Sequence, residues 1–408
     1  MISTDFGPNE DGNDAILSLI TLFSPWTWRM GDAILKAKKQ LESLFPSSKA
    51  ILLMSGRAGI KLILQALNLP PTSEIIVQAF TCEAVVLPIR ALGFKPVYVD
   101  IEKNSYSMDL ASLQNKITPQ TKVLILQHTF GMIPKNRNKV LELAKSHNMF
   151  VIEDLAHGFD PVFWQKEKLS DNQVLTLSFG RSKALSSVFG CALITSNKSL
   201  HDSLGAVEAN LPYPSLWFIF QLLCYKPLAL LIRYTYSFLS IGKIIHKSVT
   251  ILRLMVAEIS VKEKAGEYDP YLELKYPNCL AKLLTFQLEK YPHMQEQRKI
   301  VCNIYSSCVG VMPSIPKDTA LCRFPLLIEN RDMLVKKLAV QNIFLGTWYT
   351  QAVAPRGLDL GKVGYHVGSC PVAEDVCRSI INLPTLVTVE EANKIIKMIN
   401  IQCSVNDH

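Results

Sequence analysis

Between residues 50 and 200 short, continuously apolar runs alternate with helical stretches. Ile75–Val77 leads into a helix over Cys82–Leu92, and KPVYVDI follows as a strand. KVLILQH is apolar almost throughout. A helix over Lys139–His147 and the strand MFVIED come next, and VLTLSF and CALITS complete the set. Strands without polar alternation, separated by helices, predict a mainly parallel sheet covered on both faces, with ligands bound beyond the strand ends. The pattern is that of an α/β protein.

The flanks read differently. Residues 1–48 comprise a polar start, an apolar segment Ala15–Trp28 broken by Pro25, and an amphipathic helix near Met30–Leu44. Residues 211–255 hold two apolar stretches, Leu216–Tyr225 and Leu228–Ile241, separated by Lys226-Pro227, the second interrupted by Arg233. Neither stretch has the roughly 20 uninterrupted apolar residues that a membrane span needs. Aromatic and cationic residues are mixed through this block, as in segments lying at a membrane interface. A hydrophobic hairpin buried between subunits is the competing reading. From 280 onward the helix CLAKLLTFQLEKY, strand FPLLIEN, helix DMLVKKLAVQ and terminal VEEANKIIKMIN describe a smaller α+β lobe that closes over a site on the first. The expected division is a large domain over 1–272 and a small one over 273–408.

Composition narrows the function. At 408 residues, 49% apolar and 19% charged, the chain is neither disordered nor fibrous. Its mean hydropathy of +0.18 is high for a soluble enzyme, and block 211–255 accounts for the excess. The net charge of +8 is spread without a dominant basic run. With no zinc-finger spacing or RNA-binding signature, nucleic acid is not the expected partner and no metal site is expected. An anionic small molecule or lipid surface suits the charge better. The ten cysteines fall singly, which fits reduced, buried thiols in the cytoplasm. The acidic start MISTDFGPNEDGND lacks the pattern of a secretory signal. The expected location is cytoplasmic, peripheral at the inner face of the membrane.

Three polar clusters sit at the ends of predicted elements. Ser55-Gly56-Arg57-Ala58-Gly59 opens a helix, where free N–H groups and the helix dipole attract anions. Ile152-Glu153-Asp154-Leu155-Ala156-His157 ends a buried strand, so its carboxylate needs a donor. Ser178-Phe179-Gly180-Arg181-Ser182-Lys183 follows another apolar strand and offers an amine. Singly, each has a structural explanation in a cap, a salt bridge or a surface lysine. Together they fit a pyridoxal phosphate (PLP) enzyme.

On these residues the chain resembles the DegT/DnrJ/StrS sugar aminotransferases, which have the aspartate-aminotransferase fold (PLP fold type I). SGRAGIKLILQAL resembles the family's phosphate-loop helix, and VIEDLAHGFD its IEDAAQ segment. SFGRSKALSSVFGCALITS resembles the segment bearing the family's lysine, and CPVAEDVCRSIINLPTLVTVEEANKII the closing block. The resemblance implies Lys183 as the Schiff-base lysine and Asp154 as the partner of the pyridine nitrogen. It also implies Ser178, Gly56, Arg57 and Ala58 around the phosphate, and His157 where a glutamine commonly contacts the cofactor ring oxygen. His128 matches a histidine often found at its strand end, where the resemblance implies a cofactor contact and a structural role is the equal alternative. Cys82 stands where an aromatic residue usually stacks on the ring, with Phe80 two residues earlier. The asparagine a partner subunit normally supplies falls near Glu273.

The implied activity is amino transfer from an amino acid such as glutamate to a keto sugar, nucleotide-linked, in surface polysaccharide or glycan biosynthesis. The implied assembly is a homodimer. A sugar dehydratase of the same fold is disfavoured because lysine, not histidine, occupies 183. A catalytically weak, membrane-associated scaffold is the reading from another class.

Overall fold

A computed structural model describes residues 1–308 and 315–405, the last five as backbone. Cys403 therefore lies outside the described side chains. The chain starts with strand β1 (Ile2–Ser3), helices α1 (Gly12–Leu22) and α2 (Ala33–Leu44) and strand β2 (Lys49–Leu53). Helix α3 (Gly56–Ala66), β3 (Glu74–Gln78), α4 (Glu83–Ala91), β4 (Lys95–Val99), α5 (Leu110–Lys116) and β5 (Thr121–Gln127) follow. Then come α6 (Arg137–Ser146), β6 (Phe150–Asp154), α7 (Pro161–Trp164), β7 (Gln173–Ser178), β8 (Cys191–Thr195) and α8 (Lys198–Asn210).

These strands form a seven-stranded sheet ordered β2-β8-β7-β6-β5-β3-β4. The pairs among β3 to β7 are parallel, whereas β8 runs antiparallel to both its neighbours. The apolar runs have a direct cause in this arrangement. In β5, Val123 and Ile125 enter one core cluster while Leu124 and Leu126 enter another, so both faces of the strand are buried. The α/β sheet expected from the apolar pattern is present.

Block 211–255 departs from its expected form. Helix α9 (Leu216–Thr235) runs unbroken through Lys226-Pro227, and α10 (Ile241–Ile251) follows. A proline inside a helix leaves the carbonyl four residues earlier without its N–H partner. Here that carbonyl belongs to Leu223, and Ser18 of α1 donates its hydroxyl to it at 2.7 Å. Lys226 is fully buried, bonded to Glu10, to Asp14 at 3.1 Å and to the Ser186 carbonyl at 3.0 Å. Arg233 donates to the Gly7 carbonyl at 2.6 Å. Both cations thus face protein of the same chain, where the sequence pattern left a lipid interface and a subunit interface open. Among the described helices α9 alone is long and apolar enough to cross a membrane.

After α11 (Val261–Lys264), the long α12 (Asn278–Cys308) leads to β9 (Arg323–Leu327), α13 (Arg331–Val340) and β10 (Ile343–Phe344). The chain then runs through α14 (Pro371–Ser379), β11 (Ile380–Pro384) and α15 (Val389–Val405). Strand β11 pairs antiparallel with β9. The polar start contains β1, which pairs with β10, so the first residues join the smaller sheets.

Candidate functional site

The strand ends converge on one cavity of about 380 Å³. At its floor, Asp154 is the last residue of β6 and is 6% exposed. Its Oδ1 accepts from the Ala156 N–H at 2.9 Å and lies 3.5 Å from the Thr176 hydroxyl. Oδ2 takes no hydrogen bond from the described residues. Burial raises the Asp154 carboxyl above its ordinary range, against the Ala156 N–H and the nearby Lys183 cation. Lys183 lines the same cavity, with its Nζ 4.5 Å from the centre of the Trp348 ring.

The backbone around Lys183 is held from behind. Asn9 donates to the Lys183 carbonyl. Arg298 donates to Asn9 Oδ1 at 2.7 Å and to the Ala184 carbonyl at 3.1 Å. The lysine loop is thereby fixed by both the N-terminal segment and α12.

Opposite, Ser55 caps α3 by accepting from the Ala58 N–H at 3.2 Å. That bond uses the donor expected of Ala58, which is not among the residues facing the cavity. The N–H groups of Gly56 and Arg57, in the first turn, have no intrahelical acceptor. Gly56, Arg57 and Ser178 all line the cavity. The Arg57 side chain, however, pairs with Glu263 and donates to the Glu258 carbonyl at 3.0 Å. The Glu258 carboxylate also lines the cavity and accepts from the Arg181 N–H at 3.0 Å.

His157 lines the cavity in a defined tautomer. Its Nδ1 accepts from the Phe130 N–H at 3.0 Å, so Nε2 carries the proton and donates to the Tyr349 hydroxyl 2.9 Å away. Burial first, then Lys183 and Arg323, push His157 well below its ordinary value, and the ring is neutral. The donor that His157 was expected to offer a ligand is spent on Tyr349, whose own hydroxyl hydrogen remains for the cavity. His128 lies elsewhere. It bonds Glu153 at 2.7 Å in a buried network with Arg137, and it does not line the cavity. The expected cofactor contact of His128 is replaced by this structural one, because successive residues of β6 point to opposite faces and Glu153 faces away from Asp154.

Cys82 lines the cavity, and burial pushes its thiol up to about 11. Phe80 packs instead against Tyr349, with ring centres 5.2 Å apart. Glu273 pairs with Lys61 at 2.6 Å. Sequence reasoning missed Trp348 and Tyr349, which reach the site from the loop after β10. It also missed Glu83, whose carboxyl burial pushes up to about 7 despite the nearby Arg57.

Comparison with known proteins agrees with this architecture. Helicobacter pylori PseC, an aminotransferase involved in the biosynthesis of pseudoaminic acid, superposes with a TM-score of 0.72 at 16% identity. The superposition covers 97% of this chain and 98% of that one. The fold is the type I fold of PLP-dependent sugar aminotransferases. The chain belongs to the DegT/DnrJ/EryC1/StrS aminotransferase family, which it matches over residues 11–209 and 245–400. It is 30% identical over 181 residues to GDP-perosamine synthase of Escherichia coli O157:H7, covering 44% of this chain and 50% of that protein. It is 36% identical over 104 residues to the UDP-N-acetyl-3-dehydro-alpha-D-glucosamine 3-aminotransferase of Acidithiobacillus ferrooxidans, covering 26% of this chain and 28% of that protein. The chain spans about half the length, or less, of these curated relatives.

Proposed function

We propose that the chain is a pyridoxal 5'-phosphate-dependent aminotransferase that converts a nucleotide-linked keto sugar to an amino sugar, with an amino acid such as glutamate as donor. The observation that carries this reading is the pair of groups facing one cavity with no hydrogen bond or salt bridge from the described residues, Lys183 Nζ and Asp154 Oδ2. The donor set fits the cofactor. A buried carboxylate with a free oxygen suits a protonated ring nitrogen. The N–H groups of Gly56 and Arg57 with the Ser178 hydroxyl suit a phosphate. When bound, the cofactor supplies an electron sink and a carbonyl through which the amino group is exchanged.

The chain's own residues do the rest. Lys183 Nζ takes a proton from the reacting carbon and returns one to the acceptor position. Asp154, desolvated and with Oδ2 free, would hold the cofactor's ring nitrogen and favour its protonated form through a charge-assisted hydrogen bond. The Tyr349 hydroxyl, oriented by neutral His157, offers a donor in a site lined by Trp348. Cys82 presents a small apolar wall in place of a stacking aromatic ring.

We place the enzyme in surface polysaccharide or glycan biosynthesis, as a homodimer with a large domain over 1–272, whose first strand crosses to pair with β10, and a small one over 273–408. We also place it in the cytoplasm at the inner face of the membrane, with residues 211–255 in peripheral contact. Purified protein mixed with the cofactor is expected to gain an absorbance band that Lys183→Ala lacks. A folded protein without the band, or a variant that keeps it, would overturn the assignment. Light scattering tests the dimer. A second reading, a catalytically weak scaffold, is favoured by one feature, the carboxylates of Glu258 and Glu263 beside the phosphate cradle. Undetectable cofactor binding in a folded sample would select it.

A further inference from the structure

Helix α1 has an apolar stripe that no described residue covers: Ile16, Leu19, Ile20 and Phe23 are 56, 41, 61 and 76% exposed. Their spacing puts them on one side of the helix. Trp26, in the turn that follows, is 79% exposed. The other side of α1 packs on α9 through Ser18 and Ala15, both buried. Helix α10, which also packs on α9, exposes Ile244 and, at its end, Ile251 and Leu252. Soluble proteins rarely leave so many large apolar side chains open on adjoining elements without a use.

The charge of the same region says what would cover it. Residues 209–257 contain no Asp or Glu. Lys243, Lys247 and Arg253 on and just after α10 are exposed, and none pairs with a carboxylate among the described residues. A symmetric contact with a second copy sets a patch against itself, which would bring these cations together, and the acids at the start of α1 are already taken, Glu10 by Lys226 and Asp11 and Asp14 by Lys290. Anionic lipid headgroups offset them directly. The helix does not span, although α9 has the length. Its Lys226 is locked between Glu10 and Asp14 inside the protein, and removing a buried cation from its partners is strongly unfavourable.

We propose that α1, the Trp26 turn and α10 form a two-part surface that lies on an anionic bilayer. In it, α1 inserts its stripe while Lys243, Lys247 and Arg253 sit among the headgroups. The proposal rests on the reading that 211–255 touches a membrane and extends that contact to the N-terminal helix. Sequence alone gave α1 no such role.

Flotation of the full chain with vesicles tests it, using phosphatidylcholine alone or mixed with phosphatidylglycerol. The wild type is expected to float with the anionic vesicles only. Lys243→Glu/Lys247→Glu and Ile20→Ser/Phe23→Ser are each expected to cut binding about tenfold. Trp26→Ser, outside any α-helix, repeats the α1 test should the double variant fold poorly. If both α1 variants float like the wild type while the lysine variant does not, the two-part surface is refuted and contact through 211–255 stands. A wild type that never floats refutes both. Loss of a dimer in the α1 variants, read by light scattering, would assign the stripe to a second copy and overturn the proposal.

Discussion

Arg57 gives its guanidinium to Glu263, so the cation at the mouth of α3 is already neutralised within the chain. Glu258 extends this competition, because its carboxylate, close to Gly180, accepts from the Arg181 backbone N–H and is only loosely paired with the Arg181 guanidinium at 3.4 Å. With that pair long and the Glu258 side chain 38% exposed, an added phosphate still meets negative charge on that side. Glu258→Gln is therefore expected to tighten binding of pyridoxal phosphate about threefold or more, while leaving binding of pyridoxal itself unchanged. Fluorescence titration with both ligands separates the two. An equal change for each would remove the electrostatic explanation.

Lys226 holds the N-terminal segment to α9 and to the loop after Lys183. Lys226→Met leaves Glu10 buried without a cation and Asp14 with Lys290 alone, and an uncompensated buried charge costs about 3–5 kcal/mol. A fall in Tm of several degrees is expected, and an unchanged melting curve would contradict the network.

Asp14 also sets a pH dependence. Burial acts to raise its carboxyl, but Lys226 and Lys290 outweigh that and hold it at about 2, below its ordinary 3.8. The folded value lies below the unfolded one, so this stabilisation is present above about pH 4 and drains as pH falls toward 2. Glu10, raised chiefly by burial, works in the opposite sense above 4.5. Asp14→Asn should flatten the acid limb of a stability curve measured between pH 4 and 2. A limb of unaltered slope would assign it to other carboxylates.

Cys82, with its thiol at about 11, is about a thousandth ionised at pH 8. Alkylation of Cys82 should be slow at that pH, accelerate towards pH 10, and stop when cofactor fills the cavity. Rapid labelling at pH 8 would mean that the thiol is neither buried nor in the site.

His157, neutral with a fixed tautomer, predicts that the cofactor spectrum carries no histidine step between about pH 6 and 8. A step present in the wild type and absent in His157→Gln would show that the imidazole titrates there after all.

Much of this molecule was legible from its residues. Continuous apolar strands mark a sheet buried on both faces, and β5 and β6 occupy the places their composition indicates. Lys183, Asp154, Ser178 and the start of α3 fall on one cavity because each lies at an element's end, where α/β topology gathers such positions. Local pattern failed where a partner was distant. Ala58 and His128 looked available until Ser55 and Glu153 were seen to hold them. Trp348 and Tyr349 carry no local signal for a site formed with residues some 165 positions earlier.

By itself the sequence determined the sheet, its class, the family and the positions where chemistry gathers, since these follow from burial periodicity and from residue types at element ends. Tertiary structure alone decided which charges are spent inside the protein. Lys226 in an apolar helix resembles a cation at a lipid boundary, yet Glu10 and Asp14, more than 200 residues away in the chain, hold it in the interior. The pull between opposite charges depends on separation and dielectric, and neither quantity exists until the chain has folded.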